Sequence, residues 1–271
     1  MAAPVDPKVK ARTSYNLASD HYDDSPLGFW DRYGARTVER ISLTPGSRVL
    51  DVCSGAGASA LPAAELVGPG GNVVAVDLAE QLLELGRSKA KARGLGNIEF
   101  RVGDMEALGL QDESYDAVIC VFGIFFVPDM AKQVGELWRM VRRGGKLAIT
   151  TWGPNFWEPA YSVWNEVVKR ERPELHAAFN PWDRISTEDG LRKLFADAAV
   201  REPSVVAEEG QQTLEKPEDW WTIAQGSGLR WAIEQMGAEC ADRVRQDNVS
   251  WIQRQGIKAI ETNVLYGLAT K

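Results

Sequence analysis

The sequence is poor in the residues that build disulfide frameworks and metal sites. Only three cysteines and two histidines occur in its 271 residues. The cysteines are Cys53, Cys120 and Cys240, and their odd number and wide spacing argue against a disulfide framework and against a zinc site. We therefore expect no metal centre.

Long apolar runs and basic clusters are also missing. No apolar run approaches the roughly 18 residues typical of a membrane-spanning helix, so we expect no membrane span. Lysine and arginine never form runs longer than two residues, and the formal net charge is −7, which disfavours nucleic acid as a partner. The first 14 residues lack the apolar stretch of a secretory signal, and the cytoplasm is the expected location.

The most informative pattern is a strand that runs into a glycine-rich turn. Residues 48–52 form an apolar run that contains Asp51, and Gly55 and Gly57 follow before a helix predicted at 58–67. Glycines let the backbone approach a ligand, and the helix start directs N–H groups at that ligand. A second apolar strand ends in Asp77, about 20 residues past the glycines, where an acid can bind a ribose diol. The pattern predicts a site for a nucleoside-containing cofactor.

Asp51 distinguishes between two such cofactors. The run from Gly55 to Ala60 reads G-x-G-x-x-A, which also occurs in dinucleotide sites. A carboxylate close to that turn would repel a pyrophosphate, whereas S-adenosylmethionine (SAM) carries a cationic ammonium and a cationic sulfonium. SAM is therefore favoured, and an NAD(P)-dependent oxidoreductase is the alternative.

Strands and helices alternate through the first half of the chain. Strands are predicted at 48–52, 73–77, 98–102, 115–121 and 146–151, and helices at 26–41, 58–67, 79–93 and 129–142. This alternation predicts an α/β fold with a parallel sheet covered on both faces. Gly144 and Gly145 are expected to end the last of these helices as a C-cap.

The second half is rich in tryptophan. Eight of the ten tryptophans follow residue 150, mostly in segments 153–185 and 217–255. A helix is predicted at 187–198, and late strands at 204–213 and 263–269, which would complete the sheet with an antiparallel pair. Two interpretations of the tryptophans stay open: packing of the inserted helices on the sheet, or an aromatic wall around a small substrate.

Several of these motifs together resemble the Rossmann-like SAM-dependent methyltransferases. Residues 51–57 resemble the signature D-x-G-x-G-x-G, with Cys53 in place of its first glycine; Asp77 matches the ribose-binding acid, and residues 103–105 match the turn that holds adenine. Residues 115–129 and 142–152 resemble the fourth and fifth strands. The resemblance implies a doubly wound, mostly parallel seven-stranded sheet with an antiparallel last strand and helical lid insertions. It divides the chain into an N-terminal cap (1–45), a SAM-binding core (46–152) and the rest of the sheet with its lids (153–271).

Within that superfamily the chain is similar to the ubiquinone/menaquinone-type methyltransferases and their small-molecule relatives. Those enzymes have a run F-G-L-R-N-V, which here is residues 122–127 with Phe125 and Phe126 in place of Arg-Asn. Val121 stands where those enzymes often have serine. These departures favour a more apolar methyl acceptor, or another packing role for this loop. The resemblance also implies that residues 15–30 fold over the cofactor.

These arguments give the expected site residues and reaction. The expected cofactor contacts are Tyr15, Asp51, Cys53, Gly55, Gly57, Asp77, Leu78, Asp104, Met105 and Val121. The expected acceptor contacts are Tyr22, Trp30, Phe122, Phe125 and Trp152, and the candidate general bases are His21 and His176. The expected reaction is methyl transfer to a small aromatic or apolar acceptor, with oxygen favoured over sulfur, nitrogen or carbon; a non-enzymatic SAM-binding protein is a further alternative. The oligomeric state stays open.

Overall fold

A seven-stranded sheet lies at the centre of the computed structural model, which describes residues 6–176 and 179–271. Its strands are β1 (Arg48–Val52), β2 (Asn72–Asp77), β3 (Ile98–Val102), β4 (Tyr115–Val121), β5 (Val141–Trp152), β6 (Ser204–Glu208) and β9 (Val264–Thr270). Their order is β3-β2-β1-β4-β5-β9-β6, and β9 runs antiparallel to both of its neighbours while β1 to β5 pair in parallel. The expected sheet with its antiparallel last strand is confirmed. A separate pair joins β7 (Gln211–Thr213) to β8 (Ala259–Glu261).

Helices cover both faces of the sheet. They are α1 (Pro7–Ala18), α2 (Phe29–Ile41), α3 (Ala60–Val67), α4 (Glu80–Ala92), α5 (Met130–Met140), α6 (Ala160–Glu171), α7 (Glu188–Asp197), α8 (Asp219–Gln225), α9 (Arg230–Met236) and α10 (Ala238–Gln255). Along β2, Val73 and Ala75 face one apolar core while Val74 and Val76 face the other, because side chains alternate along a strand. This two-sided burial explains why the strands are continuous apolar runs. Among the described residues, no helix is both long and apolar enough to span a bilayer.

Two of the sequence-based expectations about these elements were wrong. Helix α5 ends at Met140, and the next residue, Val141, already pairs with Tyr115, so the glycine pair 144–145 lies within β5 instead of capping a helix. The strand predicted at 204–213 is two strands, because pairing with β9 ends at Glu208 and residues 211–213 pair with β8 instead.

Helix α1 packs between α4 and α9. The Ser14 hydroxyl donates to the carbonyl of Gly228 at 3.1 Å, and the Asn16 side chain accepts from the backbone N–H of Gln81 at 3.0 Å. These bonds hold α1 across the end of the sheet at which the parallel strands finish.

The backbone turns sharply where β1 and β4 end. Cys53 and Phe122 both adopt positive φ angles, 56° and 53°, a left-handed conformation that is strained for residues with a side chain. Gly123 fits beside Cys53 only because it has no side chain, since a Cβ atom there would lie 2.4 Å from the Cβ of Cys53. The turn after β4 therefore packs tightly against the turn after β1.

We expect Gly123→Ala to lower the free energy of unfolding by about 1–3 kcal/mol through overpacking. In a Cys53→Gly background the same change should cost at least about 1 kcal/mol less, because the colliding side chain is gone. Gly135→Ala is the matched control: it lies in α5 with nothing closer than 3.9 Å to a new Cβ, and alanine should stabilise that helix by up to about 1 kcal/mol. Urea unfolding measures the wild type and the four variants. An equal cost of Gly123→Ala in both backgrounds would contradict the fit described here.

Candidate functional site

A cavity lies where β1, β2 and β4 end, the position at which open parallel sheets bind ligands. It encloses about 940 Å³, its opening to solvent included. Eleven of the expected site residues line it: Tyr15, Tyr22, Trp30, Cys53, Gly55, Asp77, Leu78, Asp104, Met105, Val121 and Phe122. The structure therefore brings most of the predicted site together.

Asp77 organises the polar end of the cavity. Its Oδ2 accepts from the backbone N–H of Gly55 at 2.9 Å, and its Oδ1 accepts from that of Ala79 at 2.8 Å. Burial raises the pKa of Asp77, while these backbone N–H groups oppose the rise. Because a carboxylate oxygen has two lone pairs, each oxygen can still accept one bond from a ligand hydroxyl.

Asp51 lies behind the glycine-rich turn and does not line the cavity. It is fully buried, and its Oδ2 accepts from the hydroxyl of Ser59 at 2.7 Å. Its Oδ1 has no hydrogen-bond partner among the described residues. Burial raises the pKa of Asp51 to about 7, against the lowering effect of the Ser59 hydrogen bond. Ser59 does line the cavity, so its hydrogen bond connects Asp51 to the cavity.

Asp104 is held by the N-terminal helix. Lys8 lies 2.6 Å from Asp104 and 2.6 Å from Glu106, measured from its Nζ to a carboxylate oxygen of each. Burial alone would raise the pKa of Asp104, but the hydrogen bonds from Lys8 and from the backbone of Glu106 bring it below its ordinary value. The turn after β3 is thereby joined to α1.

Aromatic and aliphatic side chains form the other end of the cavity. Trp30 stacks on Tyr22, with ring centroids 5.6 Å apart, and meets Phe122 edge-on at 5.6 Å. Val121, Phe126 and Val127 complete this wall. One cavity therefore joins a polar half to an apolar, aromatic half.

Six expected site residues lie outside the cavity lining: Asp51, Gly57, Phe125, Trp152, His21 and His176. Trp152 stacks behind Phe122 at 4.0 Å, and Phe125 packs on Trp182 at 5.3 Å. His21 is bonded to Asp24 at 2.8 Å, while His176 follows a short 3₁₀ helix, 173–175. Neither histidine lines the cavity.

The tryptophan-rich segments do not line the cavity either. Every lining residue lies between Lys8 and Val127. Tryptophans of these segments pack on other aromatic rings, as Trp157 does against Phe29 at 5.7 Å and against Trp220 at 5.9 Å. These positions agree with one of the two interpretations, namely that the tryptophans serve packing.

Lys8, Arg12 and Ser54 also line the cavity and were missed by sequence reasoning. Lys8, Arg12 and Tyr15 are separated by four and three residues, so they share one face of a helix. That spacing, read back from Tyr15, was the signal that could have found the two cations. The hydroxyl of Ser54 is buried and has no hydrogen-bond partner among the described residues.

Known proteins that are similar to this chain in sequence are named as methyltransferases. Demethylmenaquinone methyltransferase of Geobacillus kaustophilus is 38% identical over 135 residues, which cover 48% of this chain and 58% of that protein. Aklanonic acid methyltransferase of a Streptomyces species is 33% identical over 53% of this chain and 66% of its own length. The chain thus spans about three fifths to two thirds of these two relatives. Nocamycin O-methyltransferase of Saccharothrix syringae is 28% identical over 83% of this chain and 86% of its own.

Solved structures share the fold. Phosphoethanolamine N-methyltransferase 2 of Haemonchus contortus, in complex with phosphomonomethylethanolamine and S-adenosylhomocysteine, matches with a TM-score of 0.61 and 19% identity, over all of this chain and 61% of that one. A putative methyltransferase of Bacillus halodurans matches with a TM-score of 0.55 and 21% identity, over 87% and 97% of the two chains. At these identities the likeness establishes the Rossmann-like fold. A family model, the ubiE/COQ5 methyltransferase family, matches residues 20–171. That match covers more than half of the chain, so the protein belongs to the ubiE/COQ5 methyltransferase family, with SAM as its cofactor.

Proposed function

We propose that the protein transfers a methyl group from SAM to a small planar or otherwise apolar acceptor. Oxygen is the favoured acceptor atom, and sulfur, nitrogen and carbon are the alternatives. The observation that carries the proposal is the single cavity that joins the carboxylates of Asp77 and Asp104 to the wall of Trp30 and Phe122. The names of the relatives, which refer to demethylmenaquinone, aklanonic acid and nocamycin, support a small-molecule acceptor.

The polar half of the cavity fits SAM. We assign the ribose hydroxyls to the free lone pairs of Asp77, and the adenine to the space between Leu78 and the turn at Asp104 and Met105. The unpartnered hydroxyl of Ser54 supplies a further hydrogen bond. When bound, SAM supplies a methyl group on a sulfonium, which is already activated because the leaving group is a neutral thioether.

The protein's own contribution is to orient the acceptor and exclude water. The aromatic wall holds a flat ring by its faces and edges, and α1 covers the cavity from the solvent side. Holding two reactants in line replaces an encounter in solution by a step within one complex. Removing water keeps the acceptor atom free of a hydration shell.

A location in the cytoplasm and the division of the chain into a cap, a core and lid insertions stay predictions. The three cysteines are free thiols, which agrees with a reducing compartment. Within the segments proposed as lids, α9 packs on α1, and α6 packs on α10.

Methyl transfer itself tests the proposal. Labelled SAM is incubated with the protein and a panel of naphthols, phenols and quinols, and methylated product is counted against S-adenosylhomocysteine formed. Equal amounts of both are expected. The absence of product with every acceptor would favour a non-enzymatic SAM-binding protein. A thermal shift with NADH but none with S-adenosylhomocysteine would favour the oxidoreductase.

We expect Asp77→Ala to weaken binding of S-adenosylhomocysteine by about 1.5–3 kcal/mol, because two hydroxyls lose a charged partner. Asp104→Asn should cost less, since an amide oxygen still accepts. Asp116→Ala is the control: Asp116 also accepts from a backbone N–H, that of Arg48 at 2.7 Å, but at the opposite end of the sheet, so its loss should leave the affinity unchanged. Calorimetry gives the three dissociation constants. A larger loss for Asp104→Asn than for Asp77→Ala would contradict the assignment.

We expect Asp51 to make stability depend on pH. Its pKa is about 7 in the folded protein and about 4 in an unfolded chain, so the folded protein binds more protons between these values. The free energy of unfolding therefore falls as the pH rises through that window. Asp51→Asn should gain stability relative to wild type between pH 4 and pH 8, by up to about 4 kcal/mol.

Urea unfolding at several pH values measures this difference. Asp189→Asn serves as the control, because the Asp189 side chain is fully exposed and lacks the burial that acts on Asp51. A difference for Asp51→Asn that is constant across these pH values would show that Asp51 keeps an ordinary pKa.

We expect deletion of residues 1–24 to leave a folded core but to reduce methyl transfer by about 100-fold or more, because the acceptor loses its orienting wall. The deletion removes α1 and Tyr22. Deletion of residues 1–5 is the matched control, since every contact of α1 described above remains. Thermal unfolding checks the fold, and product formation checks the activity. Full activity after the longer deletion would show that the N-terminal segment takes no part in the site.

A further inference from the structure

The two adjacent phenylalanines that replace Arg-Asn have different surroundings in the structure. Phe125 and Phe126 belong to a short 3₁₀ helix, residues 124–126. Successive side chains of such a helix are about 120° apart, because it has three residues per turn. Phe125 is buried and meets Trp182 edge-on, with ring centroids 5.3 Å apart, whereas Phe126 lines the cavity. Of the two, Phe126 is therefore the one that a ligand in the cavity can contact.

Phe126 is held in place from two sides. Its backbone N–H donates to the carbonyl of Gly123 at 3.0 Å, and Gly123 packs directly on Cys53. Its ring meets that of Tyr15 edge-on, with centroids 5.8 Å apart, so it lies where α1 crosses the cavity. The hydroxyl of Tyr15 lies in the direction of the loop before α9, 3.5 Å from where a Cβ of Gly228 would be. The ring of Phe126 is thus a fixed part of the wall.

The end of β4 offers no hydrogen-bonding side chain to a ligand. Residues 121–127 read VFGIFFV, without one polar side chain. The cavity is lined by four of them, Val121, Phe122, Phe126 and Val127. The backbone N–H of Phe122 is already bonded to the carbonyl of Thr150 at 2.8 Å, as that of Phe126 is to Gly123. A hydroxyl or carbonyl group placed against this surface loses its hydrogen bonds to water and gains none, which costs free energy.

We propose that Phe126 is a specificity-determining residue, and that the methyl acceptor is an aromatic ring system whose edge against Phe126 carries only C–H groups. The proposal rests on the proposed function and narrows it, because it says which part of the acceptor must be free of polar substituents. Phe126 acts by rejecting acceptors that carry a hydroxyl at that edge. An apolar surface rejects an added hydroxyl by up to about 100-fold, and the selection is of this size or smaller.

Calorimetry with 2-naphthol and the 2,3-, 2,6- and 2,7-naphthalenediols tests this selection. Each probe is titrated into the protein saturated with S-adenosylhomocysteine. The diols carry their second hydroxyl at different positions of one ring system, and we expect at least one of them to bind about tenfold or more weakly than 2-naphthol. Phe126→Asn should reduce that penalty below about threefold, because an amide supplies a hydrogen-bond partner. Phe126→Leu should keep the penalty, because leucine is apolar.

Phe125→Leu is the matched control, because it makes the same change in the neighbouring ring, which packs on Trp182 and does not line the cavity. It should keep the penalty. Nuclear Overhauser effects between 2-naphthol and the phenylalanine rings of the wild-type protein give a readout that does not depend on the folding of Phe126→Asn. The rings are assigned from the two leucine variants, or by selective labelling. We expect contacts of 2-naphthol with Phe126 and none with Phe125.

Three outcomes would overturn the proposal: no binding of 2-naphthol or equal affinity for all four probes, a penalty that a folded Phe126→Asn variant leaves unchanged, or no contact between 2-naphthol and the Phe126 ring. Failure of S-adenosylhomocysteine itself to bind, or no methyl transfer to any acceptor of the panel, would instead contradict the proposed function.

Discussion

The carboxylate of Asp77 holds the backbone around the site in place. It lies at the end of β2 and accepts one backbone N–H from the turn after β1 and another from the start of α4. Two loops that belong to different strands are thereby held by one side chain. Gly55 adopts a positive φ of 52° at that turn, and the hydroxyl of Tyr22 lies 3.1 Å from where its Cβ would be. The packing of Tyr22, and of Trp30 stacked on it, therefore depends on a glycine that Asp77 holds in place.

Hydrogen bonds and an ion pair also hold the three carboxylates of this region, those of Asp51, Asp77 and Asp104. Asp51 and Asp77 both belong to the sheet end and both have raised pKa values through burial. Each of them accepts hydrogen bonds from the protein, and Asp104 is neutralised by Lys8. Buried carboxylates are tolerated when they are paired or hydrogen-bonded. A cationic cofactor then meets a negative site whose geometry is already set.

The sequence predicted the central sheet well and its edges less well. Strands 48–52 and 115–121 match their observed limits, because both are largely buried and therefore mostly apolar. Strand 98–102 also matches, although it is an edge strand on which Glu99 and Arg101 are exposed. The pair 144–145 was misread, since glycine also occurs where a strand bends, and only the pairing of Val141 with Tyr115 decides between the two. The strand at 204–213 was misread because its break is set by long-range pairing with β8 and β9.

The residues of the site were also predicted unequally well. Residues at strand ends could be placed from the chain alone, because parallel strands bring their carboxyl ends to one edge. Arg12 and Lys8 were missed, although their spacing from Tyr15 puts all three residues on one face of a helix. The sequence left two roles open for the tryptophan-rich segments. In the structure Trp182 packs on Phe125 and Trp157 packs on Phe29, and these contacts join distant parts of the chain.

These long-range contacts include a set at helix α1 that constrains how related chains can be recombined. The hydroxyl of Ser14 bonds to the carbonyl of Gly228 and to the N–H of Trp231, and Arg230 pairs with Asp20 at 2.9 Å. The helix that covers the cavity is thus positioned by residues more than 200 places further along the chain. A chimera that takes its first 30 residues from a relative inherits new cavity side chains but loses their support. A change of acceptor by recombination therefore requires that both segments come from the same parent.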